Sequence, residues 1–215
     1  MKTNNILNKC MKIYLFKNEE IENAYAYLNQ DDLNYLRKFH YRIKTKKINS
    51  ILLQKYVIML NFNLKPMDII IRRKYGKPYF REGFFYSVSY SNDYIIIVTS
   101  NNNIGIDIEY INHKLNNVLY NIFFDETFKN SSSENNTLLW TKIESYLKLI
   151  GCGLKGLNIL NYYKNNIYHN GKKIVFQDIS YLLPKYYYGC ISGKCSEEIV
   201  FNEVSSKELI TTFEI

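Results

Sequence analysis

Two acidic residues stand one apart in the run Gly105-Ile106-Asp107-Ile108-Glu109. On a strand, side chains alternate between faces, so Asp107 and Glu109 share one face and Ile106 and Ile108 pack inward on the other. Carboxylates about 7 Å apart along one face can converge on a hard cation such as Mg²⁺. Spacing alone is equally met by an ordinary half-exposed strand. A second group lies in Trp140-Thr141-Lys142-Ile143-Glu144-Ser145-Tyr146-Leu147-Lys148. Glu144 and Lys148 are four apart and adjacent on a helix. They form either a surface ion pair or a carboxylate that binds metal or accepts a proton, with a cation beside it for phosphate. Tyr75-Gly76-Lys77-Pro78 is a turn in which Gly permits close backbone approach, Pro stiffens and Lys adds charge. An aromatic residue and a backbone edge there can hold a flat base. Ser87-Val88-Ser89-Tyr90-Ser91 offers hydroxyls that can bind phosphate oxygens. No GxSxG, phosphate loop or GxGxxG is present, and no nucleophilic triad emerges.

These residues need elements to hold them. Met11–Lys17 alternates as a first strand, and Glu19–Gln30 has helical spacing. Leu33–Leu60 carries apolar residues at helical intervals, with a basic start that includes Lys46 and Lys47. Asp68–Arg72 is a strand candidate leading into the Tyr75–Pro78 turn. Phe84–Ser91 and Tyr94–Thr99 read as strands joined at Ser91–Asp93, and Ile104–Ile111 as the next strand. Val118–Phe124 has helical character. Lys129–Thr137 is polar and reads as a loop. Leu138–Ile150 is the clearest helix, stopped by Gly151 and Gly153. Leu157–Ile215 reads as short strands with Gly and Asn turns. Strands and helices alternate roughly twice, which fits an α+β fold in two similar halves, 1–103 and 104–215.

Composition narrows the partners. The 215 residues are 47% hydrophobic and 22% charged, as for a globular chain, with 21 Tyr, 12 Phe and a net charge of +8. Residues 1–103 hold 17 Lys and Arg against 8 Asp and Glu; residues 104–215 hold 11 against 12. A basic, aromatic first half calls for a polyanionic ligand: nucleic acid, anionic lipid, a phosphorylated small molecule or an acidic protein. The cysteines Cys10, Cys152, Cys190 and Cys195 lack metal-site spacing and fit reduced cytosolic thiols. The opening residues show no secretion signal, and no apolar run is long enough to span a membrane. The expectation is a cytoplasmic protein without a membrane partner.

In combination and order, YGKP, SVSYS, GIDIE and W-T-x-x-E-S-x-x-K followed by GxGL resemble the 4′-phosphopantetheinyl transferases of the surfactin-synthetase-activating type. The resemblance runs from the Met11 strand to the C-terminal strands. It implies two pseudo-symmetric α/β halves in one monomer. It also implies transfer of the phosphopantetheine arm of coenzyme A to a Ser of an apo acyl or peptidyl carrier protein, releasing adenosine 3′,5′-bisphosphate. Asp107, Glu109 and Glu144 match the family's Mg²⁺ ligands, and Mn²⁺ accepts the same oxygens. Glu144 also matches the proposed base. Lys148 matches a phosphate-contacting and leaving-group Lys. Tyr75, Gly76, Lys77 and Pro78 match the turn that holds adenine. Ser89 and Tyr90 match a Ser-His-Ser phosphate motif, and Lys47 falls near an Arg that binds the 3′-phosphate. Residues 151–182 match the region that meets the carrier protein.

Three positions depart from the family pattern. Tyr90 replaces a His, so that contact carries no charge. Lys47, or Lys46, replaces an Arg and loses its two-pronged geometry. A Lys-Glu pair becomes Ile143-Glu144; Lys142, one residue earlier, points about 100° away on the helix. Two other readings stand beside the transferase: a degenerate relative kept as a coenzyme A- or carrier-binding protein, and a basic nucleic-acid-binding module. The latter lacks any RRM, KH or helix-turn-helix signature, so no nucleic-acid partner is expected.

Overall fold

The structure, a computed structural model, describes residues 10–194 and 198–214. The first nine residues read for a secretion signal, and Cys195, lie outside them. Strand β1 is Cys10–Lys17, followed by helices α1 (Gln30–Leu36) and α2 (Tyr41–Phe62). A hairpin, β2 (Arg72–Lys74) and β3 (Lys77–Tyr79), precedes β4 (Phe85–Ser91), β5 (Tyr94–Ser100) and β6 (Ile104–Tyr110). Then come α3 (Leu115–Phe123), α4 (Thr127–Asn130) and α5 (Ser133–Ile150). Strands β7 (Leu160–Tyr163), β8 (Asn166–His169), β9 (Lys172–Lys173), β10 (Phe176–Asp178), β11 (Tyr187–Gly193) and β12 (Glu198–Val204) lead to α6 (Ser206–Phe213).

One sheet has the order β12-β1-β5-β4 and a second β10-β11-β6. The first is apolar on both faces. Tyr14, Phe16, Ile95 and Ile97 join α2 residues such as Leu52 and Val57 in one core. The alternate residues Ile13, Leu15, Ile96 and Val98 meet Ile106, Ile108 and Ile191 of the second sheet. Period-2 alternation therefore sends each strand's side chains into two cores, which is why Ile95–Val98 is an unbroken apolar run. Serine hydroxyls join the sheets where β4 passes β6. Ser87 Oγ accepts from the Ile106 amide at 3.2 Å and Ser91 Oγ from the Tyr110 amide at 2.9 Å.

The mixed α and β composition is as expected. The boundary after residue 103 falls in the link between β5 and β6, yet the end of the chain crosses back. Strand β12 pairs in parallel with β1, and Leu209 and Phe213 of α6 enter the α2 core. Tyr56 donates to Glu208 at 2.5 Å to fix that return.

Several local expectations change. Within Glu19–Gln30 only a short 3-10 turn forms, Ala24–Tyr27, because Asn23 adopts a left-handed φ of 55°. The segment Leu33–Leu60 breaks at 37–40, where His40 caps a new helix by accepting from the Arg42 amide. Asp68–Arg72 is not a strand; pairing begins at Arg72, while Ile69 and Ile71 turn into the core. The polar stretch Lys129–Thr137 is largely helical. Ser132 caps α5 through the Asn135 amide, and Asn136 and Thr137 are buried. The C-terminal segment ends in a helix, α6, whose capping Ser205 accepts from the Glu208 amide. Among the described residues no helix is long and apolar enough to cross a membrane.

Candidate functional site

Helix α5 packs on β6 and β11 through its small residues. Thr141 and Ser145 are fully buried, and the Ser145 hydroxyl pairs with Ser192 at 2.7 Å. Gly105 makes this approach possible: a Cβ there would lie 2.0 Å from the Ser145 carbonyl oxygen. With that face against the sheet, Glu144 and Lys148 stand at the edge, each 27% exposed, beside Asp107 of β6. Ile143 faces the opposite way into a third core with Leu119, Phe128 and Leu160. Position 143 is thus a core position in this chain.

Asp107 is the hub of the arrangement. Both faces of β6 are covered, so Asp107 is 2% exposed rather than half-exposed. Lys148 Nζ donates to Asp107 Oδ1 at 2.5 Å and to Ser89 Oγ at 2.7 Å, and lies 3.7 Å from Glu144 Oε2. Ser89 in turn donates to Asp107 Oδ1 at 2.6 Å. The hydroxyl expected to meet phosphate is therefore engaged with the carboxylate.

Three carboxylates with one ammonium leave the cluster short of positive charge. Burial, then the Asp107 charge, pushes the Glu144 carboxyl up to about 7; its protonated form can also donate to Asp107, while Lys148 pulls the other way. Burial and then Asp107 also raise Glu109, opposed by hydrogen bonds from Ser91 and Asn112. This donor set suits a hard divalent cation, and Asp107 Oδ2 is buried without a hydrogen-bond partner. The ligands are not closed into a cage. Among the described residues no three His, Cys, Asp or Glu side chains are placed to hold a metal ion, and the Lys148 ammonium lies against Asp107 instead.

The hairpin forms the far wall. Tyr75 and Gly76 both have positive φ, 51° and 84°, as a tight two-residue hairpin turn requires. Gly adopts this freely; Tyr75 holds a backbone that bulky residues avoid, and the residue is 81% exposed. Pro78 is buried. Lys77 Nζ donates to Asn103 Oδ1 at 2.9 Å and to the Ile104 carbonyl at 3.0 Å, tying the hairpin to the start of β6. Asn103 also donates to the Leu149 carbonyl at 2.8 Å, so one side chain links hairpin, sheet and α5. Burial lowers Lys77 to about 8.

Lys47 comes from α2. Its ammonium donates to the Tyr90 hydroxyl at 2.5 Å and lies 4.4 Å from the Tyr90 ring centroid. Lys46 is 5.6 Å from the same ring.

One cleft of about 430 Å³ between the sheets, α2 and α5 is lined by Lys47, Tyr75, Gly76, Lys77 and Pro78. Ser89 and Tyr90, the carboxylates of Asp107, Glu109 and Glu144, and Lys148 line it too. Residues far apart in sequence thus meet in one space. Sequence reading missed Asn103 and Arg73. Arg73 sits in the same cleft, two residues before Tyr75 on the hairpin strand. Its only sequence signal is membership of the basic run Arg72-Arg73-Lys74.

No family model matches the chain. Among curated proteins it is similar to the 4′-phosphopantetheinyl transferase gsp of Aneurinibacillus migulanus, 31% identical over 116 residues. That stretch is 50% of this chain and 48% of the relative, so the match spans about half the length of each. That relative bears the name of the family that the motifs resemble.

Proposed function

We propose that this protein is a 4′-phosphopantetheinyl transferase. It moves the phosphopantetheine arm of coenzyme A to a serine of an apo acyl or peptidyl carrier protein and releases adenosine 3′,5′-bisphosphate. The observation that carries this reading is the shared cleft, in which an aromatic hairpin turn, cations from the first half and carboxylates from the second face one space. The similarity to the gsp transferase supports it.

In this reading the two sheet-and-helix units, with α2 and α5, are the two halves of the transferase fold. The hairpin Tyr75–Pro78 takes the adenine, and Lys47 with the Tyr90 hydroxyl faces phosphate. The carrier serine oxygen bonds to the phosphorus that bears pantetheine, and the bond from that phosphorus to the bridging pyrophosphate oxygen breaks. Glu144 takes the serine proton, directly or through water. Lys148 offsets charge on the departing phosphate and can return a proton to it. Asp107, Glu109 and Glu144 would hold Mg²⁺ or Mn²⁺, which when bound offsets the charge of the pyrophosphate. The stretch 151–182 would meet the carrier; Leu154, Tyr163, Val175 and Tyr181 expose apolar surface along it. The protein would act in the cytoplasm as a monomer.

The test is product formation. With coenzyme A, Mg²⁺ and an apo carrier, chromatography should show adenosine 3′,5′-bisphosphate appearing one for one with coenzyme A consumed. A second reading, a binding protein without turnover, is favoured by one observation: the Lys148 ammonium lies on Asp107, where a cation would bind. Coenzyme A binding with no bisphosphate released would establish that reading instead.

A further inference from the structure

A residue outside every motif reaches Glu109. Strand β6 ends at Tyr110, and the Ile111 amide donates to the Tyr186 carbonyl at 2.9 Å. The chain then turns at Asn112, whose polar groups are all engaged. Its amide donates to Thr137 Oγ1 of α5 at 3.1 Å. Its Oδ1 accepts from the Lys114 amide at 3.1 Å and its carbonyl from the Leu115 amide at 3.2 Å, at the start of α3. With Oδ1 committed there, the side chain has its amino group left, and that group donates to the Glu109 carboxylate. The other donor to Glu109 is Ser91, whose Oγ also accepts from the Tyr110 amide. Thr137 is fully buried and lies about two turns before Glu144, near the same stripe of α5. One asparagine therefore connects the carboxylate on β6 to the helix that carries Glu144.

We propose that Asn112 is a positioning residue that aims Glu109 into the cleft and fixes it relative to Glu144 for a divalent cation. This rests on the reading of Asp107, Glu109 and Glu144 as cation ligands. Glu109 is only half-buried, so packing alone does not choose its rotamer, and a fixed donor does. A metal-binding carboxylate that loses such an outer partner typically loses about 10- to 100-fold in metal affinity. Capping and aiming use different atoms of Asn112: Oδ1 meets the Lys114 amide and the amino group meets Glu109. A serine hydroxyl can serve the first contact but is one bond too short for the second.

The test is Mn²⁺ titration of the whole chain without coenzyme A, with the free ion followed by electron paramagnetic resonance. Asn112→Ser should weaken Mn²⁺ binding about 10-fold or more. Its melting temperature and its affinity for coenzyme A, both in metal-free buffer, should stay at the wild-type values. Unchanged Mn²⁺ affinity overturns the inference. So does an equal loss of Mn²⁺ and coenzyme A binding, which marks a purely structural role. Should Asn112→Ser melt below the assay temperature, Asn112→Thr, which keeps the same cap, decides by the same criterion. A wild type that binds no Mn²⁺ removes the cation reading and this inference with it. A selective loss of Mn²⁺ binding in Asn112→Ser, with no carrier protein modified by the wild type, removes the transferase reading and leaves the Asn112 assignment standing.

Discussion

Glu144 sits among like charges that Lys148 only partly offsets. Replacing it with Gln keeps the shape and removes the repulsion. Glu144→Gln should cut carrier modification by at least about 100-fold, the scale of a lost acid–base group. Its melting temperature in metal-free buffer should match or exceed that of the wild type; full activity, or an unfolded variant, would count against the role given to Glu144. Lys77 offers a pH test. Burial places it near 8, below the ordinary lysine value of 10.5. Between those values the unfolded chain binds the extra proton, so the stability penalty from this group fades as pH rises. The charge it offers a ligand disappears over the same range. The KM for coenzyme A should therefore rise above pH 8, and Lys77→Arg should flatten the rise. A flat wild-type profile through pH 9 would contradict this.

At the scale of elements, the site depends on how closely α5 lies on β6. Gly105→Ala places a methyl carbon 2.0 Å from one helix backbone atom, the Ser145 oxygen, and 2.6 Å from another, the Leu149 nitrogen. The helix must move, carrying Glu144 and Lys148 away from Asp107. The expected cost is about 3 kcal/mol in denaturant unfolding, with activity lost even in the folded fraction; a variant with wild-type stability would refute this packing. Strands β4, β5 and β6 and the body of α5 were legible because their periodicity is local. The start of α5 was not, because Ser133, Glu134 and Asn135 are polar and only the capping bond of Ser132 marks the end. Asn103 and Arg73 escaped for another reason. Their partners, Leu149 and Tyr35, are 46 and 38 positions away, so nothing near them in the chain announces the contact.

Across the whole molecule, the charge asymmetry acquires a place. The basic first half presents Lys47, Arg73 and Lys77 to the cleft, and the second half presents Asp107, Glu109, Glu144 and Lys148. The two surfaces meet because β4 and β6 are bridged by serine hydroxyls. The halves are also tied by the return of β12 and α6 to the first sheet, a long-range pairing that short strand patterns do not reveal. A polyanion carrying one flat base suits such a cleft better than a nucleic-acid strand, since the cations converge on one pocket rather than along a groove. The most direct test is intact-mass spectrometry of a panel of apo carrier proteins incubated with the protein, coenzyme A and Mg²⁺. At least one carrier should gain a single phosphopantetheine arm on its serine, with no gain when Glu144→Gln replaces the wild type; unchanged masses across the panel, despite measured coenzyme A binding, would contradict the account.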